Sequence, residues 1–153
     1  MLKTTLLAAT LACPAGLVLA QDTLPPAEVS DPITLRQHAM ENIGKAMGLA
    51  GAMMKGEAPY DARVADAALR AFNNGALGFG LMFPEGSSEG ETAAAPAIWE
   101  DSEGFEAAVQ KFIDDTGAAV AAAPADLDAF KPVFGQVAQN CRACHEDYRI
   151  KRN

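Results

Sequence analysis

The chain has 153 residues, with 20 acidic and 12 basic side chains and a formal net charge of −8. A length of this order suits one domain with a single core. The acidic balance argues against nucleic acid and anionic membranes as partners, because both carry charge of the same sign.

The first twenty residues are predicted to be a cleaved export signal. Lys3 precedes a mostly apolar run over residues 6–19, and Ala20 is small enough for a signal peptidase. The run is too short for a convincing membrane span, so we expect no membrane insertion after its removal. The mature domain, residues 21–153, would carry a charge of −9, because Lys3 is the one charged residue removed. The alternative is a lipoprotein with Cys13 as the lipidated residue, but the three residues before Cys13 fit that poorly.

The segment after Pro32 is predicted to be the first of four helices. Apolar residues recur there at steps of three, four and seven, as in the seam of a helix bundle. The members of this seam are Ile33, Met40, Ile43, Met47, Ala50 and Met54. We expect the helix to end near Gly56, since Pro59 follows it.

A second helix is predicted to begin after Asp61, which would be its N-cap. Its apolar side comprises Val64, Ala68, Leu69 and Phe72, and Leu77 and Leu81 are expected to extend it. Several glycines weaken its second half, and Phe83-Pro84 ends it. Residues 84–100 then form a long loop. A loop of this length is expected either to cover a site or to pack Trp99 over the core.

The third helix is predicted from about Ser102 to Ala122 and the fourth from about Asp126 to Tyr148. Pro132 is expected to kink the fourth helix or to mark a late start. No strand alternation is present. Four helices, short turns and one long loop between helices 2 and 3 predict an all-α, antiparallel four-helix bundle.

The sequence Cys141-Arg142-Ala143-Cys144-His145 has the Cys-x-x-Cys-His spacing of c-type haem attachment. On a helix the two cysteines project from one face about one turn apart, so each thiol can add to one haem vinyl group. His145 follows Cys141 by four residues and shares this face. It is the predicted proximal axial ligand of the iron. We therefore expect one covalently attached haem c.

Three other interpretations of the two cysteines compete with haem. A disulfide would leave His145 unexplained. A thioredoxin-like redox pair needs a βαβ context, which the pattern lacks. A structural zinc site needs four ligands, and His38 is the one further nitrogen ligand in the chain.

Met40 is the candidate for the sixth iron ligand, because it lies on the core side of the first helix and thioether sulfur is a known axial ligand. The alternative is that Met40, like Met47 and Met54, fills the core. Arg36 lies one turn before Met40 and faces inward, where a buried arginine needs an anion such as a haem propionate. An ion pair on the solvated helix edge is the alternative. His38 points away from this seam and is expected at the surface.

The mature sequence resembles the class II c-type cytochromes, the cytochrome c prime family. The resemblance covers essentially all of residues 21–153. It rests on Arg36-Gln37 followed by Met40, on residues 55–62, on Phe83-Pro84-Glu85-Gly86, on Pro96-Ala97-Ile98-Trp99, and on the haem motif continuing through Tyr148 and Arg149. A haem motif near the C-terminal end is itself a marker of this class.

The resemblance implies a four-helix bundle, often a homodimer, exported to the bacterial periplasm. It implies His145 as the proximal ligand and places Arg36 and Gln37 near the haem propionates. Arg149 resembles the family's basic residue beside the proximal face. A monomer and a homodimer both stay open.

The family divides at the position that matches Met40. One branch leaves the iron five-coordinate and admits nitric oxide and carbon monoxide, whereas the low-spin branch uses a methionine as sixth ligand and transfers electrons. Arg36-Gln37 resembles the first branch, and Met40 is compatible with both. We expect electron transfer with periplasmic redox proteins, with the binding of small gases as the alternative. No enzyme activity is expected, because no distal acid–base pair is visible.

Overall fold

The computed structural model describes residues 31–151, so the predicted export signal lies outside the described residues. This part of the chain contains five helices and a 3-10 turn over Phe79–Met82. The helices are α1 (Pro32–Lys55), α2 (Ala62–Ala76), α3 (Ala97–Glu100), α4 (Ser102–Ala122) and α5 (Leu127–Tyr148). Because α3 is one turn long, the four long helices form the bundle, and the predicted all-α architecture is confirmed. No helix within residues 31–151 combines the length and apolarity needed to cross a bilayer.

Local capping signals set the helix boundaries. The Asp31 carboxylate accepts a hydrogen bond of 3.0 Å from the Thr34 N–H, which satisfies a free donor at the start of α1. Gly56 ends α1 in the left-handed conformation, with φ 72°. Asp61 and Asp126 cap α2 and α5 in the same way as Asp31. These signals are short-range, which is why the sequence predicts the boundaries well.

The predicted extension of α2 through Leu77 and Leu81 is wrong. The helix ends at Ala76, and Gly78 takes a left-handed conformation with φ 75° that no continuing helix allows. Leu77 and Leu81 are 53% and 87% exposed. The buried residue of this segment is Phe79, in the 3-10 turn.

Two further expectations need correction. Val64 lies at the exposed edge of α2, and the buried stripe of that helix passes through Ala65 instead. The late start of the fourth helix is also wrong, since α5 begins at Leu127 and Pro132 lies within it. Asp126 caps α5, so the helix begins before the proline.

The bundle core is enclosed by the four long helices, each of which packs on the next one along the chain: α1 on α2, α2 on α4, and α4 on α5. Its buried residues include Ile43, Ala46, Ala50, Met53, Leu69, Phe72, Phe130, Phe134 and Val137. By contrast, α1 and α5 contact each other sparingly. The gap between these two helices is where the candidate site lies.

A second apolar cluster lies against this gap, built by the 3-10 turn, the short helix α3 and the start of α4. Phe79, Ile98 and Phe105 are its buried members, and Trp99 packs against them. The Trp99 indole N–H donates to the Phe83 carbonyl at 3.2 Å. Packing of Trp99, one of the two roles expected for the loop, is therefore present.

Candidate haem site

A cavity of about 1010 Å³ opens between α1 and α5. This volume lies at the upper end of the roughly 300–1,000 Å³ typical of sites for small molecules and cofactors. The walls come from α1, from the long loop and from the last turns of α5. The residues predicted for the site that line this one cavity are Arg36, Gln37, Met40, Cys141, Cys144, His145 and Arg149. The structure thus brings together residues more than one hundred positions apart in the chain.

Cys141 and Cys144 present free thiols to the cavity, so the disulfide alternative does not describe them. Burial raises the pKa of the Cys141 thiol and raises the pKa of the Cys144 thiol to about 11. Both thiols are therefore protonated near neutral pH. The Cys141 Sγ lies 3.6 Å from the Val137 carbonyl oxygen, one turn earlier in α5.

His145, which follows Cys144 in α5, lines the same cavity. Partial burial lowers the pKa of its imidazole, and the positive charge of Arg149 lowers it further. The neutral imidazole is the form that binds a metal. Within residues 31–151, no group of three or more His, Cys, Asp or Glu side chains is arranged to hold a metal ion. His38 is exposed, as predicted, and the zinc alternative therefore lacks ligands.

Met40 is half-buried on α1, where it packs against both apolar clusters. It lines the main cavity and also a side chamber of about 50 Å³, whose other walls include Cys141, Cys144 and His145. Met47 lines the main cavity as well. Met54 packs against the bundle core instead. Met40 thus fills core space and faces the cavity at once.

Arg36 is buried, at 4% exposure, yet pairs with no carboxylate within residues 31–151. Its guanidinium donates to the carbonyl oxygens of Met82 and Ser87 and to the hydroxyls of Ser87 and Thr92. The ion pair on the solvated helix edge, one of the two sequence-based alternatives, is therefore wrong. Burial lowers the pKa of Arg36, and the charge of Asp31 opposes this. Proximity to haem propionates stays a prediction.

The loop wall is attached to the rest of the molecule at both ends. At one end the Gln37 side-chain amide donates to the Glu91 carbonyl at 2.6 Å. At the other, a single antiparallel bridge joins Ala94 to Arg149, and the Ile150 N–H donates to the Ala93 carbonyl at 2.9 Å. Ser87 and Thr92 were not predicted, because nothing near them in the sequence signals a partner on α1.

The residues present fit a haem group. Two thiols and a neutral imidazole on one wall match the thioethers and the axial nitrogen that c-type haem requires. The remaining lining is mostly apolar, with Ile43, Phe79, Phe83 and Ile98 among its members. A four-helix bundle with this wall near its C-terminal end defines the class of helical c-type cytochromes.

Comparison with known proteins places the chain within that class. The family model Cytochrome C′ matches residues 31–149. A cytochrome c-556 of Agrobacterium tumefaciens is 38% identical over 117 residues, which cover 76% of this chain and 95% of that protein. The solved structure of cytochrome c′ from Rhodopseudomonas palustris superposes with a TM-score of 0.77 at 34% identity, covering 81% of this chain and 99% of that one. A structural model of oxidised cytochrome c556 from R. palustris gives 0.72 at 28% identity, covering 80% and 98%.

The chain belongs to the cytochrome c′ family. Membership implies a covalently bound c-type haem, which agrees with the thiols and the imidazole on the cavity wall.

Proposed function

We propose that this chain is a periplasmic electron carrier with one covalently attached haem, and that Met40 is the sixth ligand of its iron. The observation that carries this proposal is the position of Met40 on the cavity and the side chamber that Cys141, Cys144 and His145 also line. A thioether sulfur and an imidazole are a known axial pair in electron-transfer cytochromes.

Each residue of the site has a separate role in this proposal. Cys141 and Cys144 would hold haem through thioethers, and the neutral imidazole of His145 would supply a nitrogen ligand to its iron. Met40 would supply a thioether sulfur to the iron from α1. When bound, haem supplies a one-electron Fe(III)/Fe(II) couple. The mostly apolar walls limit the access of water to this couple.

The sequence supports the proposed location and the proposed class of partner. The export signal predicted over residues 1–20 supports the periplasm, and the acidic surface supports a protein partner rather than nucleic acid. A carrier rather than an enzyme is supported by the side chamber that Met40 shares with Ile43, Phe79, Val109 and Phe112, because these side chains offer no proton donor or acceptor. The proposed partner is another periplasmic redox protein.

Absorption spectra of the oxidised and reduced holoprotein, with and without carbon monoxide, test the role of Met40. The wild type should be low-spin in both states and bind carbon monoxide poorly. Met40→Ala should become high-spin and bind carbon monoxide readily. Met47→Ala is the matched control, since Met47 lines the same cavity from the same helix, and it should keep the wild-type spectrum.

The opposite result would favour the second candidate function, the binding of small gases at a five-coordinate iron. The apolar wall around Met40 favours it, since such a wall admits uncharged diatomic molecules and stabilises no charged ligand. A high-spin ferrous wild type that binds carbon monoxide, with no change in Met40→Ala, would contradict the electron-carrier proposal.

A further inference from the structure

Residues 83–95, here called the strap, form one wall of the haem cavity with little regular structure of their own. The strap contains no helix, and its one bridge is the pairing of Ala94 with Arg149. A segment without its own ladder of backbone hydrogen bonds depends on side-chain contacts to hold its shape. Arg36 of α1 donates more of the side-chain hydrogen bonds to the strap than any other residue, with Gln37 and Trp99 donating others.

Arg36 reaches the strap through both terminal nitrogens of its guanidinium. Its Nη2 lies 2.7 Å from the Ser87 carbonyl oxygen and 2.8 Å from the Thr92 hydroxyl. Its Nη1 lies 3.1 Å from the Ser87 hydroxyl and 3.4 Å from the carbonyl oxygen of Met82, which immediately precedes the strap. Each terminal nitrogen therefore has two oxygen partners, and all of them lie within the eleven residues 82–92.

Aromatic stacking completes this arrangement. The guanidinium carbon lies 5.0 Å from the centre of the Phe83 ring and 5.8 Å from that of Trp99. Both distances fall within the range of cation–π attraction. Lysine could replace the charge but not the fork of hydrogen-bond donors.

We propose that Arg36 is a positioning residue that fixes the strap as a wall of the haem site and places its positive charge beside the cavity. The charge belongs to the proposal because the oxygen partners of Arg36 are neutral carbonyls and hydroxyls. A fixed cation beside haem favours the reduced state, which carries one positive charge less. The electrostatic half of the proposal rests on the proposed electron transfer, whereas the strap-holding half does not.

The first test measures hydrogen exchange of strap amides in the full holoprotein. Arg36→Gln should accelerate exchange over residues 87–92 roughly tenfold relative to the wild type, with a smaller change in core amides of α4. Arg36→Lys should show most of this acceleration, because it loses the fork. Arg63→Gln is the matched control: the Arg63 side chain is 93% exposed and reaches only Asp61.

The second test measures the midpoint potential of the same variants. Arg36→Gln should lower the potential, whereas Arg36→Lys should stay near the wild-type value because it keeps the charge. If Arg36 acted only through the structure of the strap, both substitutions would shift the midpoint potential by similar amounts. Arg63→Gln should leave the potential unchanged.

Strap exchange that is unchanged in Arg36→Gln, or accelerated equally with the α4 core, would overturn the proposal. If that variant fails to fold, Thr92→Val removes one acceptor of the fork and should still accelerate strap exchange. No acceleration in Thr92→Val would then overturn the proposal. Hydrogen exchange does not depend on the iron. The strap-holding role of Arg36 could therefore be confirmed even if the electron-carrier function were wrong.

Discussion

Gly75 lets α2 approach α1 directly behind the haem cavity. A Cβ at this position would lie 2.7 Å from Ile43 Cγ1 and 2.8 Å from Ile43 Cδ1. Such separations are too short for carbon atoms, so Ile43 would have to move. Because Ile43 lines the cavity, packing between the helices and the shape of the haem site depend on the same contact.

Gly75→Ala should therefore lower the free energy of unfolding by about 1–3 kcal/mol, the usual cost of overpacking a core. Gly48→Ala is the control, since a Cβ at Gly48 meets nothing within 4 Å. That substitution should raise stability by up to about 1 kcal/mol, because alanine has the higher helix propensity. Urea titration monitored by far-ultraviolet circular dichroism measures both. Equal stability of the two variants would contradict the role of Gly75.

Arg36 shows how far single-residue prediction reaches. The helical pattern predicts that its side chain faces inward, and it is buried. Its partners, Ser87 and Thr92, lie 51 and 56 residues away in an irregular loop. No local spacing connects them to α1, so the sequence predicted a haem propionate as the partner and neither of these two residues. Burial is a property of the helix face, whereas the identity of a partner depends on the whole fold.

At the scale of elements, α4 and α5 are joined by a polar contact beside the haem motif. The Asp115 carboxylate accepts from Asn140 at 2.7 Å and from Gln136 at 3.2 Å, and it pairs with Lys111. The hydrogen bond from Lys111 contributes most to lowering the pKa of Asp115, followed by the one from Asn140. Asn140 directly precedes Cys141, so this contact holds the start of the haem motif against α4.

The lowered pKa of Asp115 predicts a pH dependence. A carboxyl group that is more acidic in the folded state stabilises the fold above its unfolded pKa, near pH 4, and this contribution is lost as the pH falls below that value. Asp115→Asn should cost about 0.5–1 kcal/mol at pH 7, because the group is partly exposed and solvent screens it. The difference from the wild type should shrink below about pH 4.

Thermal melts of the holoprotein from pH 3 to pH 7 measure this difference. Asp66→Asn serves as the control, because it breaks an ion pair with Arg70 on the surface of α2. That variant should show a smaller effect at every pH. A constant difference between Asp115→Asn and the wild type down to pH 3 would contradict the assignment to this carboxylate.

The elements themselves were predictable where capping chemistry is local. Pro32 and Gly56 mark the ends of α1, and Asp126 marks the start of α5 within one residue. The end of α2 was missed because Leu77 and Leu81 continue the apolar spacing, yet the backbone turns at Gly78. Periodicity records which residues are apolar, but it does not show that a glycine has left the helical conformation.

At the scale of the whole molecule, haem would occupy the place where α1 and α5 contact each other only sparingly. The other neighbouring pairs of long helices pack closely. Cys141, Cys144 and His145 were predictable because one short motif carries their chemistry. The opposite wall was predictable only in part. Met40 and Arg36 line the cavity as expected. The position of the strap between α1 and α5 depends on contacts between distant residues, which the sequence pattern does not reveal.

A bundle built around haem should lose stability when attachment is prevented. Cys141→Ala combined with Cys144→Ala removes both thioethers, so haem should no longer remain on the chain after denaturing electrophoresis. The free energy of unfolding should fall by roughly 4 kcal/mol, the stabilisation given by a ligand at a thousand times its dissociation constant. Haem staining of the gel and calorimetry of the native protein measure the two effects.

The matched control for this loss is wild-type apoprotein produced without haem attachment. It should melt close to the double variant, because both leave the space between α1 and α5 without haem. A double variant that keeps wild-type stability would show that the helices close the cavity by themselves. Haem would then contribute nothing to the stability of the bundle. A double variant that melts well below the apoprotein would instead assign the loss to the cysteine side chains. The comparison therefore separates stabilisation by haem from stabilisation by the residues that hold it.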